Sequence, residues 1–229
     1  KFLIPRASCV RVVSERIKKS LSAISYQPSA ISVLPIFVDI EKIKNAPIKT
    51  NLRDKYPQFD FIILMASRLT KEKNIGLAIE AMKEVIKKHP KTGLIIVGEG
   101  PEKKKNTANI IFESWSDDLP SYYKTADLFL LTSNYEGYGR TLIEAVTAGC
   151  PPASQARALR AGKIISSDVG IAGEILEKEN IFTPGDKKGL EEKIISAING
   201  KIKPARLPKM STKEEYLSAY KKSWEQCGS

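Results

Sequence analysis

Cysteine, histidine and long apolar runs are all scarce in this chain of 229 residues. The three cysteines, Cys9, Cys150 and Cys227, are far apart and have no C-x-x-C spacing. The sequence therefore predicts neither a disulfide framework nor a zinc site, and it favours a reducing compartment. No apolar run approaches the roughly 20 residues that a membrane-spanning helix needs, and the apolar core of a signal peptide is missing. Any membrane contact is expected to be peripheral.

Acidic residues are outnumbered, with 26 Asp and Glu against 37 Lys and Arg, which gives a formal net charge of +11. A surface of this sign attracts nucleotides, nucleic acids or an acidic membrane face, and charge alone does not choose among them. A basic nucleic-acid-binding domain stays open as one hypothesis. It has only the net charge in its favour, because the sequence has no recognised motif of that class and no interleaving of aromatic and basic residues. We therefore expect no nucleic-acid partner.

Short apolar runs alternate with helical patterns through the middle of the chain. The runs occupy 61–66, 94–97, 110–112 and 128–132, and the helical patterns occupy 75–88, 119–126 and 141–148. Continuous apolar runs rich in β-branched residues are typical of strands that are buried on both faces of a parallel sheet. The sequence therefore predicts an α/β fold, a Rossmann-like parallel sheet with helices on both faces. Further strands are predicted at 164–167 and 181–182, and closing helices at 187–199 and 212–226.

The loops that follow the first two of these strands carry candidate ligand-binding residues. In an open parallel sheet, ligands bind beyond the carboxyl ends of the strands, where helix N-termini offer free N–H groups. Arg68 and Lys73 follow the first strand, and two cations at that place suit a diphosphate. Gly98 and Gly100 follow the second strand and would let the backbone approach a ligand closely. A lone G-x-G is weak evidence, however, and it is equally typical of a tight turn.

The fourth strand leads into a segment that combines glycines with carboxylates. Gly137 and Gly139 would open backbone N–H groups at the mouth of a helix to a phosphate, and Glu136 and Glu144 flank that mouth. If the helix begins near Gly139, Glu136 lies in the loop over the crevice and Glu144 lies about one turn inside the helix. The two carboxylates are thus predicted to hold different ends of one ligand.

At these residues the sequence resembles a known family. Residues 126–145, together with Ala148-Gly-Cys-Pro151 and Ser167-Asp-Val-Gly-Ile-Ala-Gly-Glu174, resemble the E-x7-E region of retaining GT-B glycosyltransferases. The resemblance implies one half of a GT-B fold. Residues 1–50 would then be the end of a preceding acceptor domain, 51–205 the nucleotide-sugar-binding domain and 206–229 a C-terminal helix. Residues 152–163 are additional to the family pattern and are expected to affect donor affinity.

The resemblance also implies roles for individual residues. Arg68 and Lys73 would bind the donor diphosphate, Glu136 would face the transferred sugar, and these three are the candidate catalytic residues. Glu144 would hold the ribose of the nucleotide. The other implied donor-binding positions are Gly98, Gly100, Gly137, Tyr138, Gly139, Arg140 and Thr141.

The implied activity is transfer of a hexosyl-type group, with retention of configuration, from a UDP-, GDP- or ADP-sugar in cell-surface polysaccharide biosynthesis. No cofactor is expected, and the absence of a D-x-D motif agrees with metal-independent stabilisation of the leaving diphosphate. The expected partner is an acceptor domain, and the expected location is the cytoplasm, with a lipid-linked acceptor or contact with the inner membrane face as an alternative. A second hypothesis is a nucleotide-binding module without transfer activity in isolation, because half a cleft cannot orient an acceptor.

Overall fold

The computed structural model describes residues 9–23, 31–149 and 163–225. Its strands are β1 (Val10–Val12), β2 (Ile31–Val33), β3 (Phe61–Ala66), β4 (Thr92–Val97), β5 (Ile110–Glu113), β6 (Leu128–Leu131), β7 (Ile164–Ser167) and β8 (Ile181–Phe182). Its α-helices are α1 (Glu15–Ser22), α2 (Ile40–Asn45), α3 (Leu52–Lys55), α4 (Ile75–Lys88), α5 (Leu119–Thr125), α6 (Arg140–Ala148), α7 (Ala172–Ile175), α8 (Lys187–Ile198) and α9 (Lys213–Glu225). Short 3₁₀ turns occupy Lys71–Lys73 and Lys178–Asn180.

Six strands form one parallel sheet in the order β5-β4-β3-β6-β7-β8. The first strand of this sheet in the sequence is β3. β4 and β5 follow on one side of β3, and β6 then pairs with the other side. The strand order therefore reverses between β3 and β6, and such a switch point opens a crevice beyond the carboxyl ends of the strands. The prediction of an α/β, Rossmann-like sheet is confirmed, and β3 has the predicted bounds.

The sheet is covered on both faces because successive side chains of a strand point in opposite directions. In β3, Ile62 and Leu64 pack with α5 and α6 on one face, whereas Ile63 and Met65 pack with α4 and α8 on the other. All four side chains are at most 2% exposed. Burying each of them contributes about 1.5–3 kcal/mol relative to exposure. The two cores hold the strand ends, and with them the loops beyond those ends, in fixed positions.

The first two strands form a separate two-stranded parallel sheet, and α1 lies between them in the sequence. Ser14 caps α1 by accepting from the Ile17 amide at 3.3 Å, and its hydroxyl also donates to the Gly137 carbonyl at 2.9 Å. Arg16 donates to the carbonyl oxygens of Gly170 at 3.1 Å and Asp168 at 3.0 Å. The start of α1 is thus hydrogen-bonded to the loops after β6 and β7. The domain boundaries near residues 50 and 205 stay predictions.

One expectation from the sequence is wrong, and another falls outside the described residues. Cys9 is disulfide-bonded, which the wide spacing of the cysteines did not indicate, because folding brings together residues that are distant in sequence. Its partner lies outside the described residues. Residues 152–162 of the additional segment lie outside them as well. Among the described helices, none is long and apolar enough to cross a membrane.

Candidate functional site

A cavity of about 700 Å³ opens beyond the carboxyl ends of β3, β5 and β6. Six of the predicted site residues line it: Arg68, Lys73, Glu136, Arg140, Thr141 and Glu144. They come from two separate loops and from the first turns of α6, so the topology of the sheet brings them together. The volume lies within the range of about 300–1,000 Å³ that is usual for small-molecule sites.

Lys73 and Glu136 form an ion pair in this cavity, with 2.6 Å between Nζ and Oε1. Both side chains are 14% exposed, so the pair is largely shielded from the solvent that weakens surface pairs. Ser133 also donates to Glu136 Oε1, at 2.8 Å. The structure thus pairs a residue that was predicted to bind the diphosphate, Lys73, with one that was predicted to face the sugar, Glu136. Among the described residues, no hydrogen bond is made to the second oxygen of Glu136, Oε2.

Hydrogen bonds fasten the loop after β3 to the loop after β6. The Thr132 hydroxyl bonds to the carbonyl oxygens of Lys73 at 2.9 Å and Asn74 at 3.1 Å, and the Asn134 amide donates to the Glu72 carbonyl at 2.8 Å. Asn74 adopts a left-handed conformation, φ 48°, which Asn tolerates better than most residues. It directs the chain from the 3₁₀ turn into α4, and this turn holds Lys73 over the cavity.

The N-terminus of α6 opens toward the cavity and has no capping side-chain bond. Gly139 occupies the cap position with φ 94°, a conformation that glycine adopts without strain. Arg140 and Thr141, the first two residues of the helix, line the cavity. The uncapped N–H groups and the positive end of the helix dipole make this helix end a suitable place for an anion.

Glu144 lies one turn further along α6, where both of its oxygens have partners. Arg140 Nε lies 2.8 Å from Oε1, and the Tyr123 hydroxyl donates to Oε2 at 3.2 Å. Burial, followed by the negative charge of Glu144, raises the pKa of Tyr123 well above its ordinary value. Tyr123 therefore keeps its proton at physiological pH and remains a hydrogen-bond donor that orients this carboxylate.

Arg68 and Ser67, at the end of β3, have free bonding capacity. The Arg68 side chain is 80% exposed and its Nη2 lies 3.8 Å from Glu72 Oε1, a loose contact. The Ser67 hydroxyl is buried and has no hydrogen-bond partner among the described residues. A buried hydroxyl without a partner costs free energy, and Ser67 lines the cavity. The Arg68 guanidinium is therefore accessible to a ligand, and the Ser67 hydroxyl has an unused hydrogen bond.

Gly98 and Gly100 are not among the described residues that line the cavity. A side chain at Gly98 would overlap the Ser67 carbonyl oxygen, and one at Gly100 would overlap that of Leu69. The Leu69 amide also donates to the Glu99 carbonyl at 2.8 Å. The structure therefore places these two glycines where the β4–β5 loop closes against the loop after β3.

Gly137 and Tyr138 are likewise not among the described residues that line the cavity. A side chain at Gly137 would lie 3.6 Å from Ile17 Cδ1, at the start of the chain. Tyr138 is buried, and its carbonyl accepts from the Ile171 amide at 2.9 Å. Their backbones hold the Glu136 loop between α1 and the loop after β7.

Sequence reasoning missed the wall formed by the loop after β5, where Trp115, Ser116 and Asp117 line the cavity. Trp115 is 63% exposed, and its indole N–H donates to Asp117 Oδ1 at 3.2 Å. An exposed tryptophan just after a strand was the available signal. Lys42 and Asp39, from the start of α2, were missed as well. Neither residue was assigned a role from the sequence, because only the fold carries α2 to the cavity.

The described residues contain no group of three or more His, Cys, Asp or Glu that could hold a metal ion. The charged residues that line the cavity include both acidic and basic side chains: Asp39, Lys42, Arg68, Lys73, Asp117, Glu136, Arg140 and Glu144. Fold and site together define a class, an α/β domain with a polar ligand cavity at the switch point of a parallel sheet.

Residues 49–214 match the family model described as "Glycosyl transferases group 1". The chain belongs to this glycosyltransferase family. It is 30% identical over 141 residues to alpha-monoglucosyldiacylglycerol synthase from Acholeplasma laidlawii, a match covering 54% of this chain and 34% of that protein. It is 32% identical over 139 residues to an Escherichia coli enzyme named UDP-Gal:alpha-D-GlcNAc-diphosphoundecaprenol alpha-1,3-galactosyltransferase, covering 54% and 36%. The matched part is thus about a third of the length of these two relatives.

Solved structures share the fold. Anabaena HepE in complex with UDP-glucose aligns with a TM-score of 0.73 at 20% identity, covering 97% of this chain and 64% of that one. A glycosyltransferase from Rickettsia africae aligns with a TM-score of 0.74 at 18% identity, covering 99% and 65%. This chain therefore has the Rossmann-like α/β fold found in part of GT-B glycosyltransferases, as the sequence predicted.

Proposed function

We propose that this chain is the donor-binding half of a retaining glycosyltransferase and binds a nucleoside-diphosphate sugar in the cavity. The observation that carries the proposal is the convergence of Arg68, Lys73, Glu136 and the open N-terminus of α6 on one cavity. The E. coli relative is named for a UDP-sugar donor, and the HepE structure contains UDP-glucose. These names support a UDP-sugar as the first donor to test, with GDP- and ADP-sugars next.

In the proposed complex, the diphosphate lies between the start of α6 and the two cations after β3. Lys73 has three N–H donors, so it can keep its bond to Glu136 while it donates to a phosphate oxygen. Arg68 offers a planar fork of donors that suits phosphate. The Ser67 hydroxyl supplies a further hydrogen bond. The free oxygen of Glu136 faces the sugar, Glu144 accepts from the ribose, and the exposed face of Trp115 stacks on the base.

Transfer with retention breaks the bond between the anomeric carbon and the diphosphate, and an acceptor hydroxyl oxygen forms the new bond on the same face. The acceptor proton passes to the departing diphosphate. Negative charge on the diphosphate increases as that bond breaks. Arg68, Lys73 and the N–H groups of α6 are already oriented toward this charge, and such preorganised groups lower the barrier. The proposed acceptor hydroxyl is held by a second domain.

The alternative is a nucleotide-binding module that performs no transfer by itself. It is favoured by the extent of the match, which covers 34% of the A. laidlawii synthase. Incubation with a radiolabelled UDP-sugar and a lipid acceptor, alongside a full-length relative, distinguishes the two. Transfer by the relative alone supports the module, whereas transfer by both supports the enzyme.

Nucleotide binding is tested by calorimetric titration with UDP, GDP and ADP. We expect Lys73→Ala to weaken binding by about tenfold or more, since a charge-assisted bond to phosphate contributes about 1.5–3 kcal/mol. Arg68→Ala should also weaken it without changing the melting temperature, because its side chain is 80% exposed. In the intact enzyme, both changes should lower turnover more than stability.

Lys83→Ala is the matched control. Lys83 also pairs with a glutamate, Glu80, at 2.6 Å, but on the exposed face of α4, where the side chains are 59% and 51% exposed. Its loss should leave nucleotide affinity within about twofold, since exposed ion pairs contribute little. Equal affinity in wild type and the Arg68→Ala/Lys73→Ala double variant would rule out the proposed diphosphate site.

A further inference from the structure

A cluster of polar side chains lies beside the cavity, outside the residues that line it. Its centre is Glu113, the last residue of β5, whose side chain is 14% exposed. Three donors from other parts of the chain converge on its carboxylate. Lys55 Nζ donates to Oε2 at 2.6 Å and the Tyr122 hydroxyl donates to the same oxygen at 2.7 Å. The Tyr56 hydroxyl donates to Oε1.

This cluster lies at the two ends of a segment that forms part of the cavity wall. The segment between Glu113 and Tyr122 contains five of the lining residues: Trp115, Ser116, Asp117, Leu119 and Pro120. The bond from Tyr122 to Glu113 joins the two ends of that segment. Lys55 and Tyr56, at the end of α3, fasten the same point to a third element. The bond from the Trp115 indole to Asp117 is local. The segment also has anchors besides Glu113, because Ser121 accepts from the Lys49 amide at 2.9 Å and Glu99 is hydrogen-bonded to the Ser114 side chain and the Trp115 backbone.

Stability alone gives a poor account of this cluster. A buried charged group with its partners often contributes no more than apolar residues of the same volume would. What a carboxylate with three fixed donors does provide is a defined geometry, since each bond has a preferred length and direction. The environment keeps the group charged: burial by itself would raise the pKa of Glu113, but hydrogen bonds from Lys55, Tyr56 and Tyr122 lower it below its ordinary value.

We infer that Glu113 is a positioning residue, which fixes the wall that contains Trp115 against the nucleotide end of the cavity. The inference rests on the proposed function, because the wall has a task only if a nucleotide binds there. Glu113 itself does not contact the ligand. It acts through the ends of the 114–121 segment, so its loss should loosen the wall and weaken nucleotide binding.

The first measurement needs no nucleotide. The chain has two tryptophans, and the Trp224→Phe change on α9 leaves Trp115 as the only one. In that background, Glu113→Gln keeps the size of the side chain but leaves at least one of the three donors without an acceptor. We expect the fluorescence anisotropy of Trp115 to fall, because the segment that carries it gains motion.

Asp127→Asn is the matched control. Asp127 is also a buried carboxylate that binds the same helix, since it accepts from the Arg53 guanidinium and from the Ile62 amide at 2.9 Å. It precedes β6, at the end of the sheet away from the cavity. Its loss should cost stability comparable to that of Glu113→Gln while leaving the anisotropy of Trp115 unchanged. A fall in both variants, or in neither, would overturn the inference.

The second measurement is a calorimetric titration with UDP. Glu113→Gln should raise the dissociation constant about tenfold, roughly the effect of one lost charge-assisted bond, while Asp127→Asn should stay within about twofold. If wild type does not bind UDP, GDP or ADP, the proposed function fails, and the anisotropy still decides the role of Glu113. If wild type and Glu113→Gln bind UDP equally and have equal anisotropy, the inference fails while the proposed function stands.

The double variant Tyr56→Phe/Tyr122→Phe covers the case in which Glu113→Gln does not fold. It removes two donors but keeps the ion pair between Lys55 and Glu113. The same fall in anisotropy and the same loss of UDP affinity are expected, each smaller than in Glu113→Gln. A folded double variant that matches wild type in both measurements would show that the cluster does not position the wall.

Discussion

Two pairs of glycines in this chain share the G-x-G spacing and follow strands of the same sheet, but their surroundings differ. Gly98 and Gly100, after β4, lie against the backbone of the loop after β3, where a side chain would overlap a carbonyl oxygen. Gly137 and Gly139, after β6, have more space: the nearest atoms to an added side chain lie at 3.6 Å and 3.1 Å. The first pair allows two loops to close together, and the second shapes the entrance of α6.

The difference shows that a G-x-G pattern indicates a position where the backbone needs glycine. The pattern does not by itself indicate that a ligand binds there. Both pairs were predicted to bind the donor. In the sequence, only the second pair is flanked by residues that line the cavity, Glu136 on one side and Arg140 on the other. Substitutions at the four positions therefore separate packing from binding, and the expected effects on stability decrease from the first pair to the second.

The largest effect is expected for Gly98→Ala. The added methyl would overlap the Ser67 carbonyl oxygen, and φ is 149° at this position, so two loops must move apart. Overpacking and backbone strain together should lower the free energy of unfolding by about 3 kcal/mol, measured by urea denaturation. Gly76→Ala, in α4, is the control. Nothing lies within 4 Å of its added methyl, and it should stabilise the helix by about 0.5–1 kcal/mol. Similar losses in both variants would contradict the comparison.

A smaller loss, about 1–2 kcal/mol, is expected for Gly139→Ala. The cause is the positive φ of 94° at the cap of α6, since the methyl would meet only the flexible end of Leu142, at 3.1 Å. The same strain would displace the first N–H groups of α6. UDP affinity should therefore fall in this variant, whereas in Gly76→Ala it should not. A loss of stability with unchanged UDP affinity would place the ligand elsewhere.

The smallest effect is expected for Gly137→Ala, a change of about 0.5 kcal/mol or less in the free energy of unfolding. Its added methyl would lie 3.6 Å from Ile17 Cδ1 and 3.8 Å from Val13 Cγ2, which is ordinary van der Waals contact. Urea denaturation would detect a larger loss. A loss close to that of Gly98→Ala would mean that the two glycine pairs do not differ in the way described here.

The sheet was predictable because its strands are buried on both faces and so read as continuous apolar runs. The runs at 61–66 and 128–132 became β3 and β6, with ends shifted by at most one residue. The short helices α2 and α3 were not predicted. At six and four residues, they are too short for the helical period to stand out from chance.

The site was predictable where one loop carries several chemical signals together, as between Glu136 and Glu144. It was not predictable where a residue acts through a distant partner. The pairing of Lys73 with Glu136 spans 63 positions in the sequence, and the Glu113 cluster joins four residues from three regions. Nothing in the local sequence of either group marks its partner. The disulfide at Cys9 was missed for the same reason.

The switch point between β3 and β6 also bears on how the chain folds. β3 pairs early with β4, which follows it closely, but its other edge stays open until β6 is available about 60 residues later. Until then, the central strand exposes unpaired N–H and C=O groups to solvent and to other chains. Parallel pairings between distant segments are slow to form. The crevice that creates the ligand cavity therefore lies at the pairing that joins the most distant segments of the central sheet, and we expect this pairing to form slowly.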